Sequence, residues 1–104
     1  MSVREVTEGL QVQGAQETVT YSIETINWGG APSDPSMTVV RISDGVDVTD
    51  DVTSGSMNTN TDASLIFTKQ ITALTAGELY RVDVQFTITG FEPAECYFYI
   101  KAED

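Results

Sequence analysis

Few side chains in this chain could carry a reaction, and their types narrow the chemistry before any fold is considered. Histidine is absent. Neither a Ser-His-Asp nor a Cys-His arrangement can therefore be built, and the commonest general acid and base near neutral pH is missing. The single cysteine, Cys96, shares its alternation with Phe98 and Ile100. That position reads as a small buried hydrophobe and not as a reactive thiol. No glycine-rich phosphate loop and no zinc ligand set occur. The expectation is a protein with no catalytic residues and no cofactor.

Two groups of residues could still bind something. Asp44-Gly-Val-Asp47-Val-Thr-Asp50-Asp51 places four carboxylates close together. Calcium takes six to eight oxygens, often from closely spaced aspartates in a loop. The segment lacks the alternate-Asp spacing and closing Glu of an EF-hand, so a solvated edge charged against strand-to-strand aggregation is the favoured reading. The second group is aromatic. Trp28 stands at the mouth of a Gly/Pro-containing loop and reads as core in preference to contact. Tyr97 and Tyr99 alternate with Phe98 and so lie on the opposite sheet face. There they are either interface anchors or a partly covered aromatic pair on an edge strand.

The elements that must position these groups fit one domain over residues 1–104, with 40% hydrophobic residues and no disulfide framework. The missing bridges lean towards assembly in a reducing cytoplasm. The first residues do not read as a signal peptide, and no segment is long and apolar enough for a membrane helix. The formal net charge of −11 sets the surface against phosphate backbones and anionic membranes. It favours solubility, or attraction to a basic partner or to divalent cations.

The pattern along the chain is all-β. Tyr80, Val82, Val84, Phe86 and Ile88 alternate with Arg81, Asp83, Gln85 and Thr87, which marks a strand with one buried face. Residues 95–101 alternate likewise. Val19, Tyr21 and Ile23 alternate, then Ile26 and Trp28 fall on the other parity, which predicts a β-bulge near Thr25. Residues 29–35 read as a loop and 37–43 as a strand with apolar residues on both faces. Asp44-Gly45 marks a turn, 46–52 a short acidic strand and 53–62 a polar loop. Residues 64–71 read as a strand with Leu65, Phe67 and Ile71 inward. Residues 1–16, carrying Val3, Val6 and Leu10, are a first strand or an arm ordered by a partner, with the strand favoured. Six or seven short strands at roughly ten-residue spacing predict a β-sandwich, with a small barrel as runner-up.

The lead-in Leu74-Thr-Ala-Gly77-Glu-Leu-Tyr80 resembles the tyrosine corner of immunoglobulin-like sandwiches, in which a Tyr hydroxyl bonds back to upstream backbone. Leu74, Gly77 and Tyr80 are thus the fold-defining residues. With Gly9–Gly14 leading into Glu17–Tyr21, Trp28–Ser36, Asp47-Val-Thr49 and Glu95–Phe98, the chain resembles small immunoglobulin-like structural proteins of tailed bacteriophages and prophages. The resemblance implies an antiparallel immunoglobulin-like or fibronectin-III-like sandwich of about seven strands. It further implies a non-enzymatic virion component assembled in the host cytoplasm. A head decoration or cement protein on the outer capsid is the first expectation. Its partners would be the major capsid protein or other virion proteins, with homo-oligomers allowed. Val3, Val6, Leu10, Trp28, Tyr97 and Tyr99 are the interface candidates. A neck or tail component and a carbohydrate-binding adhesion module are the alternatives.

Overall fold

The computed structural model describes residues 2–25, 32–60, 62, 64–88 and 93–103, with residues 2–9 described by their backbone alone. The fold is all-β, built on the two strands with the clearest alternation. β9 (Leu79–Ile88) and β10 (Pro93–Glu103) pair antiparallel. Tyr80, Val82, Val84, Phe86 and Ile88 of β9 and Ala94, Cys96, Phe98, Ile100 and Ala102 of β10 are all buried. Register sets Phe86 against Ala94 and Val84 against Cys96, so bulky side chains meet small ones. Cys96 is fully buried, and that burial pushes its thiol up to about 12. Ellman's reagent is accordingly expected to label Cys96 only as fast as the native fold opens, with full reaction in denaturant. Immediate labelling of native protein would contradict this packing.

β1 (Ser2–Gly14) and β3 (Pro32–Arg41) flank this pair, and β4 (Val46–Asp47) completes a five-stranded sheet in the order β1-β10-β9-β3-β4. At about 3.3 Å per residue, the length of β1 matches the 41 Å long axis of the molecule. Against this sheet lie two smaller ones. β2 (Ser22–Glu24), β7 (Leu65–Phe67) and β6 (Asn58–Asn60) form one; β5 (Thr53–Ser54) and β8 (Gln70–Ile71) form the other. A Val19–Ile71 bridge joins the edge of β8 to the approach to β2. Ile23, Ile66 and Ile71 from these sheets share one hydrophobic cluster with Val39, Val82 and Phe98. The arrangement is sandwich-like, with its core between a large sheet and a fragmented one.

Several expectations are corrected. The pairing is not wholly antiparallel, because β1 runs parallel to β10. Among the described residues there are ten strands, four of them of 10–13 residues, where about seven short ones were expected. The loop expected over 29–35 gives way to strand at Pro32, a strand-first position where proline costs no ladder bond. Pro35 is accommodated where register shifts between Ser33 and Ser36, beside Asp34 at φ 50. The acidic strand over 46–52 stops at Asp47 and turns into one helical turn, α1 (Thr49–Val52). The Asp47 carboxylate accepts from the Thr49 N–H at 2.9 Å and its hydroxyl at 2.6 Å, which bends the chain out of the ladder. The polar stretch 53–62 contains β5 and β6. In β7 it is Ile66 that is fully buried, with Leu65 and Phe67 half-buried on the other face. Ile71 is inward as expected. Thr25 is buried directly after β2, and its N–H donates to the Ser64 carbonyl at 2.7 Å; the shift of phase expected there rests on Ile26 and Trp28, which lie outside the described residues.

The corner behaves as its residues require. Leu74 is buried, Gly77 takes a φ of 88 that disfavours any side chain, and Tyr80 is 1% exposed. The Tyr80 hydroxyl accepts a 2.9 Å bond from the Thr75 N–H, so it ties the strand to the turn that precedes it. Tyr80→Phe removes this bond while keeping the ring. The expected loss is about 1–2 kcal/mol, to be read by urea unfolding. An unchanged midpoint would mean that the hydroxyl contributes nothing.

Candidate functional site

Neighbours across a β-ladder point their side chains to the same face. The register of the five-stranded sheet therefore lays out its outward surface row by row. Leu10 pairs with Tyr99, Tyr99 with Arg81, Arg81 with Val40, and Val40 with Asp47. The next row towards the C-terminal end of β10 runs Val12, Lys101, Leu79. The Ile42 N–H extends that row by donating to the Leu79 carbonyl. The row on the other side runs Tyr97, Asp83, Thr38. This face carries three of the four exposed large hydrophobics among the described residues: Leu10 at 56%, Val12 at 62% and Ile42 at 43%.

The centre of the face is a preorganised aromatic and cationic patch. Tyr97 and Tyr99 meet edge to face, with ring centroids 5.9 Å apart and planes at 82°. The Arg81 guanidinium lies 4.1 Å from the Tyr97 ring centre, and its Nε donates to the Asp83 carboxylate at 2.9 Å. Burial alone would lower the Arg81 pKa; Asp83 and then the two tyrosines more than offset it, and the guanidinium is held above its ordinary value. Gln85 donates to Glu95 one row away. The long side chains of this patch are thus held by one another, which reduces the entropy lost when a partner covers them.

The inner side of β1 explains why Leu10 and Val12 point out. In its C-terminal half the strand is inverted, with polar side chains turned inward and apolar ones outward. Gln13 is 1% exposed. Its amide nitrogen donates to the Ile71 carbonyl at 2.7 Å and the Glu17 carbonyl at 3.2 Å, and its oxygen accepts from the Tyr21 hydroxyl at 2.8 Å. Gln13 thereby fastens the large sheet to the small one. The Tyr21 ring packs on Phe98 at 5.2 Å, and burial followed by the nearby Glu17 charge pushes its hydroxyl up to about 12.

The other sequence candidates fare differently. Leu10, Tyr97 and Tyr99 come together on this face. Val3 pairs with Glu95 in the backbone ladder, and Val6 falls where β1 shifts register against β10. Trp28 lies outside the described residues. The four aspartates do not converge. Asp44 is engaged by Arg41, whose Nη2 donates at 2.6 Å, and this bond holds its carboxyl below the usual range. The Asp47 carboxyl is held low by the Thr49 hydroxyl, and Asp50 and Asp51 sit in the first turn of α1. Among the described residues no group of three or more His, Cys, Asp or Glu side chains is arranged to hold a metal ion. An open groove of about 380 Å³ between Met37 and Met57 contains one ionisable side chain, Lys69, and no paired acid and base.

Arg81 and the inverted half of β1 were missed from sequence. The signal was available: Leu10 and Val12 alternate with Gln11 and Gln13, but which pair faces inward depends on register with a strand some ninety residues away. Compared with known proteins, the chain matches no protein-family model, and no curated protein matches it significantly.

Proposed function

We propose that this chain is a non-enzymatic, immunoglobulin-like virion structural protein that docks through the outward face of its five-stranded sheet. The observation that carries the reading is the row Leu10–Tyr99–Arg81–Val40, with Val12 and Ile42 beside it. A fixed Tyr/Arg centre is of the composition enriched in protein-interface hot spots, and the exposed aliphatic groups around it offer apolar area for a partner to cover. The immunoglobulin-like assignment is supported by the Tyr80 corner and by strand order. The last, penultimate and third strands share one sheet, while the second faces them from the other.

The occupant we favour is the outer capsid surface, on the resemblance to phage immunoglobulin-like proteins, with the virion as location and the major capsid protein as partner. An acidic surface suits the outside of a head better than contact with packaged DNA. Quantitative mass spectrometry of purified virions tests this. Many copies in simple ratio to the capsid protein are expected. A number fitting a single ring would place the chain at the neck or tail instead, and absence from particles would overturn the virion reading.

The glycan-binding alternative finds less support in the same patch. Sugar stacking wants a flat, open ring face. Here Arg81 covers one face of Tyr97, and the two tyrosine planes are nearly perpendicular. A positive glycan screen with the isolated protein would reverse this preference.

A further inference from the structure

β1 is the margin of the five-stranded sheet, and its backbone parity is fixed by one bond. The Ala15 N–H donates to the Glu103 carbonyl. In a parallel ladder, alternate residues turn both backbone polar groups to the same side. Residues 11, 13 and 15 therefore face β10, and residues 10, 12 and 14 face away from the sheet. Gly14 needs no partner there. Its N–H donates to Glu17 Oε1 at 2.7 Å, and its carbonyl accepts from the Glu17 N–H at 2.9 Å. A Cβ on Gly14 would lie 2.8 Å from that carboxylate oxygen, so glycine is what lets Glu17 close over the edge. At the other side, β1 shifts register between Glu5 and Leu10. Between these two stops, the outward N–H and C=O groups of Leu10 and Val12 meet no other strand among the described residues. Their side chains are the two most exposed large hydrophobics among the described residues.

We infer that the Leu10–Val12 edge receives an extended segment of another protein as a sixth strand. The incoming segment alternates apolar residues, which cover Leu10 and Val12, and is flanked by Lys or Arg. This names the strand-level contact of the docking proposed above, and in that sense rests on it. The basic flanks follow from charge. Glu17 stands at one end of the open stretch and Glu8 precedes the other, on a chain of net charge −11. The same arrangement disfavours a second copy. Antiparallel self-pairing of Leu10 with Val12 would set Gly14, with Glu17 over it, against Glu8 of the other copy, and would do so twice. Strand addition of this kind draws affinity from main-chain bonds and specificity from alternate side chains.

The test needs no virion. The full chain is titrated with the peptide Lys-Val-Thr-Val-Thr-Val-Lys to millimolar concentration, with amide shifts and hydrogen exchange followed by NMR. Protection should appear at the Leu10 and Val12 amides, while Gln11 and Gln13 are already protected in the free protein. A Glu-flanked peptide should bind at least about tenfold more weakly, the equivalent of one charge-assisted bond. Val12→Pro removes an N–H that faces away from β10, so the fold should melt as wild type while peptide binding is lost. Should that variant melt early, Val12→Thr keeps the N–H and should show a partial loss through its side chain alone. Unchanged Leu10 and Val12 amides, or equal binding of both peptides, would overturn the inference. So would a dimer in sedimentation that Val12→Pro dissolves, since the occupant would then be a second copy. Absence of the chain from virions would sink the docking reading without altering any of these outcomes.

Discussion

Gln13→Ala is expected to destabilise the protein by about 2–4 kcal/mol, the range for breaking a buried hydrogen-bond network. For a domain of this size that is a fall of roughly 10–20 °C in thermal midpoint. The substitution takes the amide donor from the Ile71 carbonyl, which keeps only its bond from the Val19 N–H, leaves the half-buried Tyr21 hydroxyl without its acceptor, and opens a space where the amide sat. Tyr21→Phe should cost less, because it leaves only the Gln13 oxygen short of one donor. The double variant should fall short of the sum, since the two residues share a bond. Additive losses would mean that the clasp is not a unit. Burial of the Tyr21 hydroxyl, followed by the nearby Glu17 charge, sets an alkaline limit. Tyr21 keeps its proton in the folded state to about 12, whereas the unfolded chain gives it up near 10. The folded state then binds more protons over that window, so stability is intact below about pH 10 and declines as pH rises towards 12. Tyr21→Phe should flatten that decline.

The second large effect falls on docking and not on stability. Replacing Tyr97 and Tyr99 together by alanine is expected to weaken binding to the partner surface by at least about a hundredfold, within the range for paired aromatic hot spots. Both rings are half-buried on the outer face and neither enters the core cluster. The thermal midpoint should therefore move by only a few degrees, part of it from the lost Arg81–Tyr97 contact, worth about 0.5–1 kcal/mol. Binding of the variant to particles stripped of the native protein checks this. Wild-type affinity would remove the face from the docking site.

Sequence disclosed some of this and hid the rest for definite reasons. β9 and β10 were legible because each buries one face and exposes the other, so period two shows through. The Tyr80 corner was legible because Gly77 and Tyr80 act within a few residues of each other. Leu65-Ile66-Phe67 gives no phase, since all three are apolar, and the inward residue is chosen by the pairing of Ile66 with Ile23. The short strands β5 and β6 are Ser-, Thr- and Asn-rich, carry no apolar alternation of their own, and owe their form to pairing with β8 and β7. The candidate face was half-legible. Tyr97 and Tyr99 could be set outward from alternation alone, but joining them to Leu10 and Arg81 required the sheet order.

The parallel pairing of the first strand with the last also fixes how the molecule carries load. Ser2 lies beside Ala94 at one end of that ladder, and Gly14 beside Glu103 at the other. A pull between the start of β1 and the end of β10 therefore draws the strands past each other along their length. Their hydrogen bonds are strained together and must rupture nearly at once, unlike a hairpin whose bonds open one after another. That shear direction is the one in which the fold yields last.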